Sequence, residues 1–360
     1  MSTNPHTLPA TLAEPARLQA FMAAIFTAAG SSEAEAAQIA EHLVTSNLSG
    51  HDSHGIGMLP TYMQHLREGF VHPDRVPQRV GGADPFAVFD GQMGYGQPVT
   101  NQVMDQAADI ARRHGVALVT LRNVQHVGRV GAYGERLAAQ GLMSIHFVNA
   151  VYSNNCVAPF GGSDARVMTN PICIAVPGRT PLLLDFATSG IALGKTRVAY
   201  NKAVDVAPGR LIDHTGQPTN NPAVMWEEPK GALLPFGEHK GWGLSFLAEV
   251  LGGVLSGGPN ASEGPGSQRG LVNGLFSIVM EPGRLIDTGW FDDTVARVTA
   301  HVKASPAADP QAPVRVPGEP ERDTRALRSA QGIPVDATTW SQIVECARVL
   351  GVPAPDFPTA

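Results

Sequence analysis

Charge is scarce in this chain. Lys, Arg, Asp and Glu make up 16% of its 360 residues, the formal net charge is −6, and no run of Lys or Arg occurs. Nucleic-acid binding and polybasic membrane attachment both rest on clustered positive charge, so the composition excludes both and favours a small, mobile substrate. Only three cysteines are present, Cys156, Cys173 and Cys346, with no paired metal-ligand spacing. That count fits a reducing cytoplasm better than a disulfide framework. No stretch of about 18 apolar residues occurs, and the N-terminus MSTNPHTLPATLAEPARL has no basic segment followed by an apolar one. A soluble, cytoplasmic protein without membrane or nucleic-acid partners is expected.

Glycine and proline are plentiful, at 39 and 29, but they are scattered between apolar segments and do not form a low-complexity tract. At this length one large domain or two interleaved domains are expected. Leu18, Phe21, Met22, Ile25 and Ala29 recur at helical spacing, and Gly30 ends that helix. Ser32 and Glu35 form the capping box of a second helix that runs out near Asn47 to Gly50. Strand-like FAVFDG is followed by the helical PVTNQVMDQAADIARRHG, and VALVTLRN reads as a buried strand of a parallel sheet. Further strands are LMSIHFVNA, ICIAVPG, PLLLDFATS and GLFSIVME. GEHKGWGLSFLAEVLGGVLSGG is a helix whose Leu244, Leu247, Leu251 and Leu255 are assigned to the core. Helices WFDDTVARVTAHV and ATTWSQIVECARVL follow, joined by the proline-rich 305 to 320.

SGHDSHGIG, residues 49 to 57, places His51, Asp52, Ser53 and His54 between glycines at the end of the second helix, where a loop presents side chains to a cleft. Histidine and carboxylate are metal ligands, but the spacing is not HExxH and no further ligand set appears. Ser53 lacks the strand-to-helix elbow of a GxSxG nucleophile. The histidines could also cap helix carbonyls, or act in acid–base chemistry near neutral pH. His126 and Arg129 lie in VQHVGRVG, between a strand and a helix, a favoured ligand position in α/β folds. Asp185 ends an apolar strand, where it is either a helix cap or the group that orients a histidine. His239 and Lys240 open a helix and suit a phosphate. The Rossmann glycine fingerprint is absent.

Taken together, GHDSHGIGMLPTY, HVGRVGAYGERLAAQG, APFGGSDARVMTNP, LLLDFATSGIALGKTRVA, GRLIDHTGQPTNNP, LLPFGEHKGWGLSFLAEVLGGVLSGG and VPGEPE run in order along nearly the whole chain. They resemble the malate/L-lactate dehydrogenase family of NAD(P)-dependent oxidoreductases. The resemblance implies an α/β chain with the family's non-Rossmann, sulfolactate dehydrogenase-like fold. A mixed-sheet nucleotide-binding domain is expected over 120–300, and a helical and mixed domain over 1–119 and 301–360 that carries the SHG motif. It further implies reduction of 2-oxo acids to 2-hydroxy acids by NADH or NADPH, both left open because no ribose-2′ motif is placed. A homodimer is implied as well. By motif, protonated His54 is the proton donor, with Ser53 and Asp185 completing its relay. Nucleotide contacts are implied for His126, Val127, Gly128, Arg129, Val130, Ala187, Thr188, Ser189, His239, Lys240, Gly318 and Glu319. Thr169 and Asn170 fall where the family places substrate and cofactor contacts. Many members carry an arginine four residues after the SHG histidine for the substrate carboxylate. Here that residue is Met58, suited to a less polar substrate tail, so Arg129, His51 or Thr169 would have to meet the carboxylate. A cyclic ketimine carboxylate is the alternative substrate, and a metal-dependent hydrolase built on His51, Asp52 and His54 is the remote alternative.

Overall fold

The structure is a computed structural model that describes residues 11–263 and 270–358. Its centre is a seven-stranded sheet in the spatial order Gln78–Gly81, Phe86–Asp90, Val116–Gln125, Val272–Met280, Met143–Val151, Ile172–Val176 and Leu182–Phe186. The expectation of a parallel sheet fails at all but one of the six pairings. Phe86–Asp90 and Val116–Gln125 run parallel, and the other neighbours are antiparallel. An apolar run reports burial on both faces, not strand direction, and that is why the reading erred. The sheet as a whole is mixed, as the resemblance implied.

Two of the apolar cores position the site. Phe89, Val103, Ala107, Val119, Leu121, Tyr133, Leu137 and Leu275 pack the helices Gly96–His114 and Gly131–Ala138 onto the sheet. Leu18, Phe26, Ile39, Leu43, Tyr62, Tyr95, Ile333 and Ile343 build a second, helical core from both ends of the chain. There the strands Thr11–Ala13 and Ile333–Val335 pair with each other. The expected boundary at residue 120 falls inside the strand Val116–Gln125, and the sheet core already includes Ala87 and Phe89. The sheet layer thus begins well before the expected boundary, and residues 86–119 belong to it.

Two other expectations need correction. The 305–320 connection gives way to a helix, Glu319–Gln331, whose polar sequence carries little apolar periodicity to reveal it. In the helix His239–Ala248 and the π-helical turn Glu249–Val254 that continues it, the face assigned to the core is turned outward. Leu247 is 50% exposed and Leu255 55%, while Ser245, Glu249, Gly252 and Gly253 are buried. Packing explains the inversion. A Cβ on Gly252 would stand 2.5 Å from the Asn149 backbone nitrogen, so this face lies directly on the strand Met143–Val151. Glu249 is held there by Asn149, Asn170 and the Ala261 amide.

Several histidines lie inside this framework. His146 is fully buried between the hydroxyls of Ser277 and Ser144, at 2.7 and 2.9 Å. His42 is buried under Tyr133 and accepts the Arg129 backbone N–H at 2.9 Å. Burial holds the His146 ring down to about 4, and burial, with Arg129 and His54 nearby, holds His42 down to about 3. The unfolded chain binds these protons near pH 6.5, so it takes up more protons than the native state as pH falls below that value. Stability from these two groups is therefore fully present above pH 6.5 and is lost between about pH 6.5 and 4, at roughly 2 kcal/mol per pH unit for the pair. Urea midpoints at pH 7.5, 6.0 and 5.0 should fall steeply across this window, above the range in which carboxylates titrate. A midpoint that stays level down to pH 5 would contradict the neutral, buried state of both rings.

Candidate active site

The helix Glu33–Leu48 ends at Ser49 and Gly50, and the chain turns through two short 3-10 segments, Asp52–His54 and Ile56–Met58. One side chain shapes this turn. Asn47 accepts the Ile56 N–H through Oδ1 at 2.8 Å and donates to Asp52 Oδ1 through Nδ2 at 2.6 Å. A Cβ on Gly55 would lie 2.1 Å from Asn47 Oδ1, so the glycine of SHG admits the asparagine amide. Asp52 is also gripped by Arg328 of the helix Glu319–Gln331 at 2.6 and 3.1 Å, and His51 meets Glu321 of that helix at 3.3 Å. His51 and Asp52 thus anchor the turn. Among the described residues no group of His, Cys, Asp or Glu is arranged to hold a metal ion, which removes the basis of the hydrolase reading.

His54 has different partners from those expected. Its Nδ1 lies 3.1 Å from His126 Nε2, His126 Nδ1 lies 2.7 Å from Tyr62 Oη, and Gln97 Nε2 donates to Tyr62 Oη at 2.7 Å. The two imidazole planes are only 22° apart with centroids 5.2 Å apart. With the short N–N contact, that describes rings joined edge to edge. The space behind them, lined by Tyr62, His65, Val71, Tyr95, Gln125 and His126, has no room for a water molecule. His54 Nε2 has no hydrogen-bond partner among the described residues and is not sealed from solvent. It is the open atom of the site. Burial first, then His51 and Arg129, hold the ring down to about 4. In the unliganded protein these groups favour the neutral form of the His54 ring at neutral pH.

Asp185 does not orient this histidine. Its Oδ2 accepts the N–H of Gly131, the first residue of the helix Gly131–Ala138, at 2.8 Å, and among the described residues no hydrogen bond joins it to His54 or Ser53. Arg129 Nη1 and Asp185 Oδ2 both lie within 2.7 Å of the point a Gly131 Cβ would occupy. Burial raises the Asp185 carboxyl, opposed by Arg129, His51 and the Gly131 amide. The cap reading holds in a modified form, because the capped helix is distant in sequence. Ser53 is exposed and lies against Gly194, at the start of the helix Leu193–Asn201.

Arg129 is 1% exposed and paired with Glu135, which Arg325 also grips at 2.9 Å. Its Nε and Nη1 are buried without a partner. A buried guanidinium with two free donors is matched to a carboxylate or phosphate.

The rest of the 126–130 turn offers a dinucleotide little. His126 uses both ring nitrogens internally, the Val127 amide donates to Asn273, and the Arg129 amide donates to His42. Gly128 packs on the His42 ring, and Val130 is buried. The ring nitrogens of His126 and the Val127 amide are thus engaged in packing between the two layers, with Gly128 and Val130 set in the same seam. Thr188 donates to the Thr169 and Asn170 carbonyls, and Ser189 to the Ile191 carbonyl. Asn170, fully buried, spends its amide on Ala150, Ser245 and Glu249, so its side chain is structural. Met58 packs on the helical core. Glu319 is taken by Lys303 and the Val316 amide beside the buried Gly318. Ala187 remains half-buried, and His239 and Lys240 stay exposed on a helix start without a side-chain cap. A nicotinamide dinucleotide needs an anion anchor and open positions beside the reacting group. His239 and Lys240, exposed at a helix start without a side-chain cap, fit the anion part of that requirement, and the orphaned Arg129 donors are left for a second anion.

Sequence reasoning missed Asn47, His42, Tyr62 and Gln97. Tyr62 closes the quoted motif GHDSHGIGMLPTY, which was its only signal. The others sit at helix positions that look like any polar residue beside a core.

Comparison with known proteins gives the same assignment. Residues 13–344 match the family model described as malate/L-lactate dehydrogenase. Hydroxycarboxylate dehydrogenase B of Escherichia coli (strain K12) is 44% identical over 340 residues, 93% of each chain. The solved structure of sulfolactate dehydrogenase from Methanocaldococcus jannaschii superposes with a TM-score of 0.85 at 30% identity, covering 95% of this chain and 98% of that one. That of delta1-piperideine-2-carboxylate reductase from Pseudomonas syringae pvar. tomato gives 0.80 at 29% identity, covering 93% and 99%. With a shared fold end to end and a family match over most of its length, this chain belongs to the malate/L-lactate dehydrogenase family and is an oxidoreductase acting on CH–OH groups.

Proposed function

We propose that the protein interconverts 2-oxo acids and 2-hydroxy acids, with His54 carrying the proton at Nε2. The observation that supports this most strongly is the half-buried imidazole fixed at Nδ1 by an internal hydrogen-bond chain and open only at Nε2. A bound reduced nicotinamide, NADH or NADPH, supplies the hydride. Arg129 takes the substrate carboxylate with its free Nε and Nη1, the task that Met58 leaves unfilled. That pairing places a negative charge beside the guanidinium that helps keep His54 neutral. It therefore favours proton uptake by the ring when an oxo acid binds. In the oxidative direction Nε2 receives the hydroxyl proton in the neutral tautomer whose hydrogen lies on Nδ1, with the chain behind the ring running the other way. Ala187, His239 and Lys240 hold the cofactor, and Ser53 lines the open side of the ring against Gly194.

A second reading, reduction of a cyclic ketimine carboxylate, draws on the piperideine-2-carboxylate reductase neighbour. It would use the same proton at nitrogen in place of oxygen. A cytoplasmic location remains part of the proposal, and no helix among the described residues is long and apolar enough to cross a membrane.

A homodimer is also proposed. The helix Thr288–Lys303 buries none of its residues, although it carries Trp290, Val298 and Val302. Phe246, Leu247, Val254 and Leu255 form a second exposed apolar stripe. Stripes of this kind mark interfaces in soluble proteins.

Four measurements test these proposals. His54→Ala should lower turnover by about 100-fold or more with cofactor affinity nearly unchanged. Parallel assays of phenylpyruvate, oxaloacetate and piperideine-2-carboxylate with NADH and NADPH should show turnover of the two oxo acids. Near-normal rates in the variant, or turnover of the ketimine alone, would overturn the main reading. Arg129→Lys, which keeps the charge but loses the fork, should raise KM for the oxo acid about 10-fold to 100-fold with a smaller effect on kcat. An unchanged KM would remove Arg129 from the substrate site. In sedimentation the protein should run as a dimer and Leu247→Glu/Leu255→Glu as a monomer, and a monomeric wild type would refute the assembly.

A further inference from the structure

The hydrogen-bond chain behind His54 has a polarity, and the donors and acceptors along it can be assigned from its far end. Gln97 Nε2 can only donate, so Tyr62 Oη accepts from it and gives its own hydrogen to His126 Nδ1. His126 then carries its hydrogen on Nε2 and donates to His54 Nδ1. A neutral His54 accepts there and keeps its hydrogen on Nε2. A charged His54 cannot enter this arrangement, since both of its nitrogens are donors. Its Nδ1–H needs a lone pair on His126 Nε2, His126 must then donate to Tyr62, and the Tyr62 hydroxyl needs a new acceptor. One is in place. Gln97 Oε1 is buried without a partner, on the same amide whose nitrogen meets Tyr62. Half a turn of the amide exchanges the two groups.

We propose that Gln97 is a positioning residue that sets the protonation state of His54, acting through Tyr62 and His126 by presenting its amide to Tyr62 either as donor or as acceptor. The two states differ by one proton, held on His54. Tyr62 and His126 keep one exchangeable hydrogen each and change only its direction or the atom that carries it. The inference rests on His54 as the acid–base group.

Gln97 is held in place for this role. It is fully buried in the first turn of the helix Gly96–His114, and a Cβ on Gly96 would stand 2.2 Å from the His126 carbonyl oxygen. The helix start is therefore pressed against the chain that carries His126. Charged and titratable groups around His54 come from every neighbouring element. His51 shares its turn, His42 comes from the preceding helix, and Arg129 from the strand-to-helix turn. The helix Leu193–Asn201 beside Ser53 carries Lys195 and Arg197, and Arg328 and Glu321 face the turn through Asp52 and His51. Of these, His51 and Arg129 disfavour the charged ring, and none specifies which nitrogen bears hydrogen.

Gln97→Glu, whose side chain presents an acceptor whether ionised or not, should move the His54 titration upward by about one pH unit, a tenfold change in the charged fraction at a given pH. Gln97→Met, with no acceptor, should move it downward. Histidine-labelled 15N spectra between pH 3 and 8 report the ring state directly, and the alkaline limb of kcat/KM for oxo acid reduction should follow the same order. In a Tyr62→Phe background the Glu substitution should no longer shift the titration. Shifts of the same sign in both variants, no shift in either, or a Glu effect that survives Tyr62→Phe would overturn the proposal. The spectra are independent of turnover. An active His54→Ala enzyme would overturn the functional reading while these shifts still stand, and an inactive one with unshifted spectra would overturn only the role of Gln97.

Discussion

Two neutral, buried histidines join the helical layer to the sheet. His42 comes from the helical layer and accepts an amide of the turn that follows the strand Val116–Gln125. His126 comes from that turn and meets Tyr62 and His54 of the helical layer. Each interaction needs a ring nitrogen with a free lone pair, which only the neutral form provides. Burial enforces that form and pushes the His126 ring well below its ordinary range. The seam between the layers, the placement of the SHG turn and the chemistry of His54 thus depend on the same condition. A proton added at the seam would remove an acceptor from both layers at once.

Around that seam the turn is over-determined by groups with no chemical role. Asn47 fixes its backbone, Arg328 holds Asp52, and Glu321 holds His51. Four polar residues in a row therefore serve different ends. The outer two partners tie the loop to a helix from the far end of the chain, and this leaves His54 free to point one nitrogen outward. The helix Glu319–Gln331 thus supports the turn through Glu321 and Arg328. Arg129 is treated differently from its neighbours. Glu135 balances its charge, but two of its nitrogens are left unpaired, and a buried unpaired donor costs on the order of 1–3 kcal/mol. Under the proposed function a bound carboxylate would recover that cost, which an exposed lysine does not carry.

Much of the fold was legible because helical periodicity and caps are local. Ser32 caps its helix as expected, and Gly115, with positive φ, ends Gly96–His114. Strand direction, the helix after residue 318 and the outward face of Leu247 and Leu255 were not legible. Each depends on what another segment brings to that surface. At the site, His54 stood out by residue type and glycine context, and the family resemblance singled it out as well. Its partners did not stand out. Asp185 looked like an orienting carboxylate because it ends a buried strand, yet the helix start at Gly131 lies closer. Thr188 and Asn170 looked like ligand contacts, but they are consumed in tying loops together.

Exchanging Asp185 for an internal chain of neutral groups changes how the histidine can work. A carboxylate partner stabilises the imidazolium and holds the proton close at all times. A chain ending in an amide does neither by itself, because an amide offers a donor and an acceptor of similar shape and no net charge. The proton affinity of His54 is then left to what enters the cleft. Arg129 and His51 depress it in the unliganded protein, and a bound carboxylate offsets the first of these. Under the proposed function the site would favour the charged ring only after an acidic substrate has arrived. In that arrangement substrate recognition and acid–base readiness are one electrostatic event, and the buried chain needs only to reorganise to allow it.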